Sequence, residues 1–254
     1  MENRENRPIL KPWPLGWKAK IGLLMPSHDT GYATYEYQTL CPEGVIPLET
    51  RVMGGRLTME HLMRMRDDAV HGAELLAVSN VDAISYIGTA ASFVWGLKGD
   101  RALIKEIEEK TGIKTTTGGS AVAEALRFMG IKKMILYAPT TEEITAKSIM
   151  YLENQGFAVL DHESLNMECL PEINRISPWE TYGGVMKLYK RCPDVDGIFL
   201  SGGCLRTLEI IDTLEKDTGL PMVLTTPANV WKLLQLAGVK DPIYGFGKLL
   251  EMPR

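Results

Sequence analysis

Residues 107–113 read Ile-Glu-Glu-Lys-Thr-Gly-Ile, and residues 214–220 read Leu-Glu-Lys-Asp-Thr-Gly-Leu. Each is the end of an amphipathic helical run, stopped by a glycine that takes the left-handed backbone a C-terminal cap needs. The downstream segments match as well. A Thr-containing β-run comes next (Lys114–Thr117, Met222–Thr225), then a helix opening at Ser120-Ala121 or Pro227-Ala228, then an ending Gly130-Ile131-Lys132 or Gly238-Val239-Lys240. Upstream of each copy a buried β-run enters a glycine, Tyr86-Ile87-Gly88 and Leu200-Ser201-Gly202. A repeat of about 110 residues is too long for a solenoid unit and reads as a duplicated lobe.

Outward from the repeat, short β-rich runs alternate with amphipathic segments, the pattern of a parallel sheet flanked by helices. Strands are expected at Lys20–Ser27, Val45–Met53, Ala83–Gly88, Lys133–Ala138, Phe157–Asp161 and Gly197–Ser201. Thr58 is placed to cap one long helix through about Val78, with Leu62, Met65, Ala69 and Gly72 on one stripe. Further helices are expected to Lys110, over Ser120–Met129, Thr141–Gln155, Ser177–Arg191, Leu205–Asp217 and Asn229–Ala237. The fold class is therefore α/β: two lobes related by a pseudo-twofold axis, each a mainly parallel sheet flanked by helices. The first lobe is expected over 18–120, with the tail 239–254 packing back on it. The second spans 121–238, and 1–17 form an N-terminal extension.

Composition narrows the function class. The chain has 254 residues, 45% of them hydrophobic, and a net charge of -4. That balance supports a sizeable core and argues against a nucleic-acid partner. No apolar run approaches the roughly 18 residues of a membrane span. Met1–Pro14 has no apolar segment of the signal-peptide kind, so the expected address is cytoplasmic. Cys41, Cys169, Cys192 and Cys204 form no CxxC pair and read as reduced thiols, with no metal site. Neither GxxxxGK[ST] nor GxGxxG occurs, so nothing implies a nucleotide, and no cofactor is expected. The sequence leaves a homo-oligomer open.

In parallel sheets the ligand crevice lies outside the carboxyl ends of the strands. Two lobes facing each other would bring four strand ends to one cleft: Pro26-Ser27-His28, Gly88-Thr89-Ala90, Pro139-Thr140-Thr141 and Ser201-Gly202-Gly203-Cys204. Small residues there let backbone N–H groups approach a ligand, and a helix N-terminus favours an anion, so a small carboxylate or dicarboxylate is the expected partner. Tight packing turns would use the same residues. Cys204 is expected at the N-cap of a helix at Leu205, where the dipole would favour thiolate; a buried, inert cysteine is the competing reading. Cys169 and Cys192 flank prolines near helix boundaries and read as structural. His28 follows the first strand on a loop, DTGYATYEYQTL, as an acid/base, a lid residue or a surface histidine. Arg51 and Arg56 could pair with a second carboxylate, and the Thr225 and Thr226 hydroxyls could face the cleft.

The order Gly88-Thr89-Ala90-Ala91-Ser92-Phe93, Lys114-Thr115-Thr116-Thr117, Ser201-Gly202-Gly203 and Thr226-Pro227-Ala228 with Trp231 resembles the arylmalonate decarboxylase and maleate isomerase branch of the aspartate/glutamate racemase superfamily. The likeness runs from about Lys20 to Gly247. It implies cofactor-free chemistry beside a carboxylate, with the fold of two duplicated lobes. A racemase-type member uses one cysteine per lobe; a decarboxylase keeps only the second. The resemblance places the first-lobe cysteine position on Gly88, a hydroxyl donor for the carboxylate on Thr89, and a backbone donor on Ala90. It implies an apolar pocket of Pro26, Leu170 and Ile173. Two departures stand out: the second-lobe cysteine position falls on Gly202, two residues before Cys204, and the carboxylate-holding tyrosine position falls on Thr140. The expected activity is decarboxylation of a malonate-like acid through an enediolate. An isomerase or racemase on a small dicarboxylate, and a non-catalytic carboxylate binder, remain the alternatives.

Overall fold

The computed structural model describes residues 15–28 and 30–253. Of the expected N-terminal extension, residues 1–14 lie outside these, as does Asp29 in the turn after the first strand. The first series runs β1 (Ala19–Pro26), α1 (Tyr32–Leu40), β2 (Val45–Val52), α2 (Met59–Arg64), α3 (Ala69–Val78), β3 (Ala83–Tyr86), α4 (Thr89–Thr111), β4 (Thr115–Thr117) and α5 (Gly118–Phe128). The second runs β5 (Lys133–Ala138), α6 (Glu142–Glu153), β6 (Ala158–Ser164), α7 (Leu170–Ile173), α8 (Pro178–Arg191), β7 (Gly197–Leu200), α9 (Ile211–Thr218), β8 (Met222–Leu224) and α10 (Thr225–Leu236), with α11 (Lys248–Glu251) in the tail. Two four-stranded parallel sheets result, ordered β2-β1-β3-β4 and β6-β5-β7-β8. The same strand order twice is the duplicated α/β architecture expected of the repeat. Pro47, which has no N–H to donate, sits on the edge strand β2.

The repeated heptapeptide makes the same bonds in both lobes. Glu108 Oε1 accepts the N–H of Thr115 at 2.9 Å, and Glu215 Oε1 accepts that of Met222 at 2.9 Å. Gly112 and Gly219 have φ of 70° and 73°, and each N–H returns to the carbonyl of its glutamate. The threonine hydroxyls of Thr111 and Thr218 bond back one helical turn to Ile107 and Leu214. A helix stop and a strand start are therefore encoded together, which is why seven residues suffice to reveal the fold.

Side chains alternate across each sheet. Ile21, Leu23 and Met25 of β1 and Met134, Leu136 and Ala138 of β5 enter one core with α1, α5 and α10. Leu24, Ile135 and Tyr137 face the other way. The helices that close each series, α5 and α10, pack on each other; α10 reaches β3 and β4 of the first sheet, and α5 reaches β8 of the second. The tail bonds to α9 through Gly247 N–H on Asp212 and Lys248 N–H on Glu215, while Lys18 reaches Asp241.

Three segments differ from the expectation. The helix from Thr58 to Val78 is two, α2 and α3: α2 stops at its C-cap Met65, and Asp68, the N-cap of α3, turns its carboxylate to accept the Met53 N–H. Residues Tyr32–Leu40 form a helix instead of a loop; Ala33, Tyr37 and Leu40 are its buried stripe, and Glu36 within that stripe hides it. The helix expected from Leu205 starts at Ile211. Leu205, Leu208 and Ile211 have helical spacing and are buried, but the chain there makes separate turns, Leu205 N–H to Gly202 O and Ile210 N–H to Thr207 O.

Asp100 on α4 is fully buried and accepts from the Ser120 hydroxyl of α5 at 2.6 Å and the Tyr151 hydroxyl of α6 at 2.8 Å. Burial and this carboxylate push the Tyr151 phenol well above its usual range. Tyr151→Phe would remove one of two donors to a buried carboxylate. It is expected to cost roughly 1.5–3 kcal/mol of stability in urea unfolding.

Candidate active site

The carboxyl ends of both sheets open on one cleft whose empty volume, counting the part open to solvent, is about 700 Å³. First-lobe residues Pro26, His28, Gly88, Thr89 and Ala90 line it together with second-lobe residues Thr140, Leu170, Gly202, Gly203 and Cys204. The strand ends named in the sequence thus meet. Ser27 and Ile173 do not join the lining: Ser27 is exposed, with its N–H on the Val52 carbonyl, and Ile173 is fully buried behind Leu170.

Thr89 opens α4, which runs from the N-cap Gly88 to a kink at Gly96, where φ is 68°, and then resumes to Thr111. The Thr89 N–H turns back to the Ile87 carbonyl at 2.9 Å, and Ser92 closes the first turn on the Gly88 carbonyl. The N–H groups of Ala90 and Ala91 then belong to the first turn, where no helical carbonyl reaches them, and both residues line the cleft. The positive end of the helix dipole lies there, suited to an anion. Thr89 is 4% exposed, and its hydroxyl sits over Gly118, where a Cβ would fall 2.1 Å from Oγ1.

The second lobe solves the same problem differently. Gly203 takes the place of Thr89, and the hydroxyls move to the neighbouring strand end as Thr225 and Thr226, both cleft-lining. The Gly202 N–H donates to Thr225 Oγ1 at 3.1 Å. The Gly202 backbone has φ of 102°, and a Cβ there would meet Pro139 at 2.8 Å. Thr140 Oγ1 pairs with Thr145 Oγ1 at 3.0 Å.

Cys204 is in the cleft lining and 7% exposed, but no helix begins beside it, so the dipole argument for a thiolate does not hold. Cys169 and Cys192 stand at the N-cap of α7 and the C-cap of α8. Burial pushes the Cys41 thiol up to about 12. Arg51 pairs with Glu49, and Arg56 with Glu168; neither lines the cleft.

An apolar wall faces the Gly88 turn: Leu57, Leu62, Met65 and Leu170. Leu62 and Met65 are legible in the sequence only as a core stripe, and Leu57 carries no spacing signal. Tyr37 also lines the cleft, and sequence reasoning misses it because α1 reads as loop. Among the described residues no lysine or arginine lines the cleft, and no group of His, Cys, Asp or Glu is arranged to hold a metal ion.

Comparison with known proteins agrees with this geometry. The chain is 27% identical to the arylmalonate decarboxylase of Bordetella bronchiseptica, over 91% of this chain and 96% of that one. It is 25% identical to the maleate isomerase of Pseudomonas putida, over 91% and 97%. Among solved structures, a liganded arylmalonate decarboxylase variant with one glycine changed to cysteine and one cysteine to serine superposes with a TM-score of 0.86, at 24% identity over 92% and 99%. A maleate-bound maleate isomerase variant from Pseudomonas putida S16 gives 0.84, at 21% identity over 92% and 97%. These relatives are enzymes, and they share the racemase-like fold seen here. The family model described as arylmalonate decarboxylase matches residues 21–250, and the chain belongs to that family.

Proposed function

We propose that the chain is a cofactor-independent carbon–carbon lyase that decarboxylates a small malonate-like acid. The observation that carries this reading is the meeting of the Gly88-Thr89-Ala90 turn with the apolar wall of Leu57, Leu62, Met65 and Leu170 in one cleft. The retained carboxylate accepts from the N–H groups at the start of α4, and from the Thr89 hydroxyl once its proton turns away from the Ile87 carbonyl, which it meets at 3.4 Å. The second carboxylate then faces carbon, where its charge is poorly solvated. Cleavage sends it out as CO2, and the bond's electron pair passes into the retained carboxylate as an enediolate. Donors fixed in advance stabilise that charge without reorganising. A proton delivered to the α-carbon ends the reaction, and Cys204 supplies it from the second-lobe side.

The alternative is an isomerase or racemase on a small dicarboxylate, favoured by the maleate isomerases among the relatives. Against it stands Gly88. The glycine and cysteine exchanged in the arylmalonate decarboxylase variant are 114 residues apart, the same separation as Gly88 and Gly202 here. A Cβ at Gly88 would lie 2.6 Å from the Tyr86 ring, which is fully buried and anchored by its hydroxyl on the Met65 carbonyl at 3.2 Å. A first-lobe thiol therefore lacks room as well as a codon. With glycine at both usual cysteine positions, a non-catalytic carboxylate binder is the reading left if turnover is absent.

CO2 release and solvent-deuterium incorporation at the α-carbon, measured across substituted malonates and maleate, decide among these. Binding without either at high protein concentration sinks the lyase. Thr89→Val is expected to weaken carboxylate binding by roughly 1–3 kcal/mol, the loss of a hydrogen bond to a charged group. Cys204→Ser should fold normally and lose about 10²–10⁴ of the proton-transfer rate, whereas Cys169→Ser and Cys192→Ser should keep turnover. Gly88→Cys should cost roughly 1–3 kcal/mol in denaturant unfolding by overpacking against Tyr86. Most of that cost should disappear when Tyr86→Leu is added.

A further inference from the structure

Glu36 lies on the buried stripe of α1 and is 1% exposed. Its Oε2 accepts the Thr226 hydroxyl at 2.6 Å across the boundary between α1 and α10. Burial and the nearby Glu36 carboxylate push the Tyr32 phenol, one turn earlier on α1, well above its usual range, and Glu209 and Arg206 of the second lobe act on it as well. The Thr226 hydroxyl thus points its proton at a buried carboxylate. A hydroxyl carries a single proton and two lone pairs. With its proton held by Glu36, Thr226 can offer the cleft only an acceptor. Its Oγ1 lies toward Gly203, 3.3 Å from where a Cβ on that cleft-lining residue would stand. The neighbouring hydroxyl has the opposite polarity: Thr225 Oγ1 accepts from the Gly202 N–H, so its proton is what remains to donate.

We propose that Thr226, oriented by Glu36, is a hydrogen-bond acceptor for a hydroxyl or amino group on the substrate's α-carbon. The inference rests on the lyase reading for where the carboxylate sits and names the class of acid: one with an O–H or N–H donor beside the retained carboxylate. With that carboxylate on the Gly88-Thr89-Ala90 turn, the α-carbon points across the cleft toward the second lobe. A carboxylate or ether oxygen placed against Thr226 would meet a lone pair, whereas a donor makes a bond. The apolar wall takes the remaining substituent. Glu36 is a positioning residue here, since it reaches the substrate only through Thr226.

The test is calorimetric titration of the full chain with three product-like acids of equal bulk: mandelate, 2-phenylglycine and 2-phenylpropanoate. The hydroxy or the amino acid should bind about tenfold more tightly than the methyl acid, the factor given by one hydrogen bond of roughly 1.4 kcal/mol. The two donor acids tell hydroxyl from amino recognition. Thr226→Val should bring the ratio to about one, and Thr226→Ser should restore it. A folded Glu36→Leu chain should lose the ratio too, because the Thr226 proton is then able to turn into the cleft. If that variant does not fold, the Thr226 pair decides alone. A wild-type ratio near one, a ratio that survives Thr226→Val, or no binding of any of the three acids overturns the proposal. These titrations require no turnover. Absent CO2 release would remove the lyase and leave the ratio to be read by itself.

Discussion

The packing of α5 on α10 is the contact on which the rest of the molecule depends. Each helix continues directly from the last strand of its own series, yet each also covers the other sheet. Phe128 and Trp231 meet there with ring centroids 5.1 Å apart, and the Ser85 hydroxyl of β3 donates to Asn229 of α10 at 2.7 Å within the core. A parallel sheet is stable only with both faces covered. By exchanging covers, the two lobes fix their strand ends toward a common cleft, so a fold requirement and the location of that cleft have one cause.

That joint contains polar groups as well as carbon. Asp100 ties α4, α5 and α6 together, and Glu36 ties α1 to α10. Buried carboxylates are costly unless bonded, and removing a partner is more damaging than replacing the whole set by carbon. Such groups therefore specify one relative placement of the lobes more sharply than apolar surfaces, which tolerate sliding. The residues lining the cleft lie on different chain segments, so their convergence depends on that placement.

The fold is legible because its signal is local and repeated: Glu108 and Thr111 make the bonds that Glu215 and Thr218 make. What escapes a sequence reading is tertiary. Glu36 breaks the apolar stripe of α1 since its bond with Thr226 makes burial tolerable, and no spacing rule announces a bond 190 residues away. Asp68, the N-cap of α3, gives its carboxylate to a strand-end N–H instead of to its own helix. Leu205, Leu208 and Ile211 imitate a helix by their spacing, but turns carry Leu208 into the core of Leu23 and Leu205 and Ile211 into that of Leu24. In the cleft, residues at strand ends follow from topology, whereas Leu57 and Tyr37 come from elements that arrive sideways, where topology is silent.

The glycines of the second-lobe loop explain where its thiol stands. With φ of 102° at Gly202 and Pro139 at 2.8 Å from its would-be Cβ, a cysteine at that position would force the turn to re-form. The turn also holds the Gly202 N–H on Thr225, so re-forming it would disturb the hydroxyl beside the cleft. Cys204, two residues on, leaves that turn undisturbed and lies in the lining. A related economy governs the hydroxyls: Thr89 leaves no room for a side chain at Gly118, and Gly203 gives room to Thr226. At each lobe one strand end carries the oxygen and its neighbour is bare, so each side of the cleft presents its own polar groups to a ligand held between them.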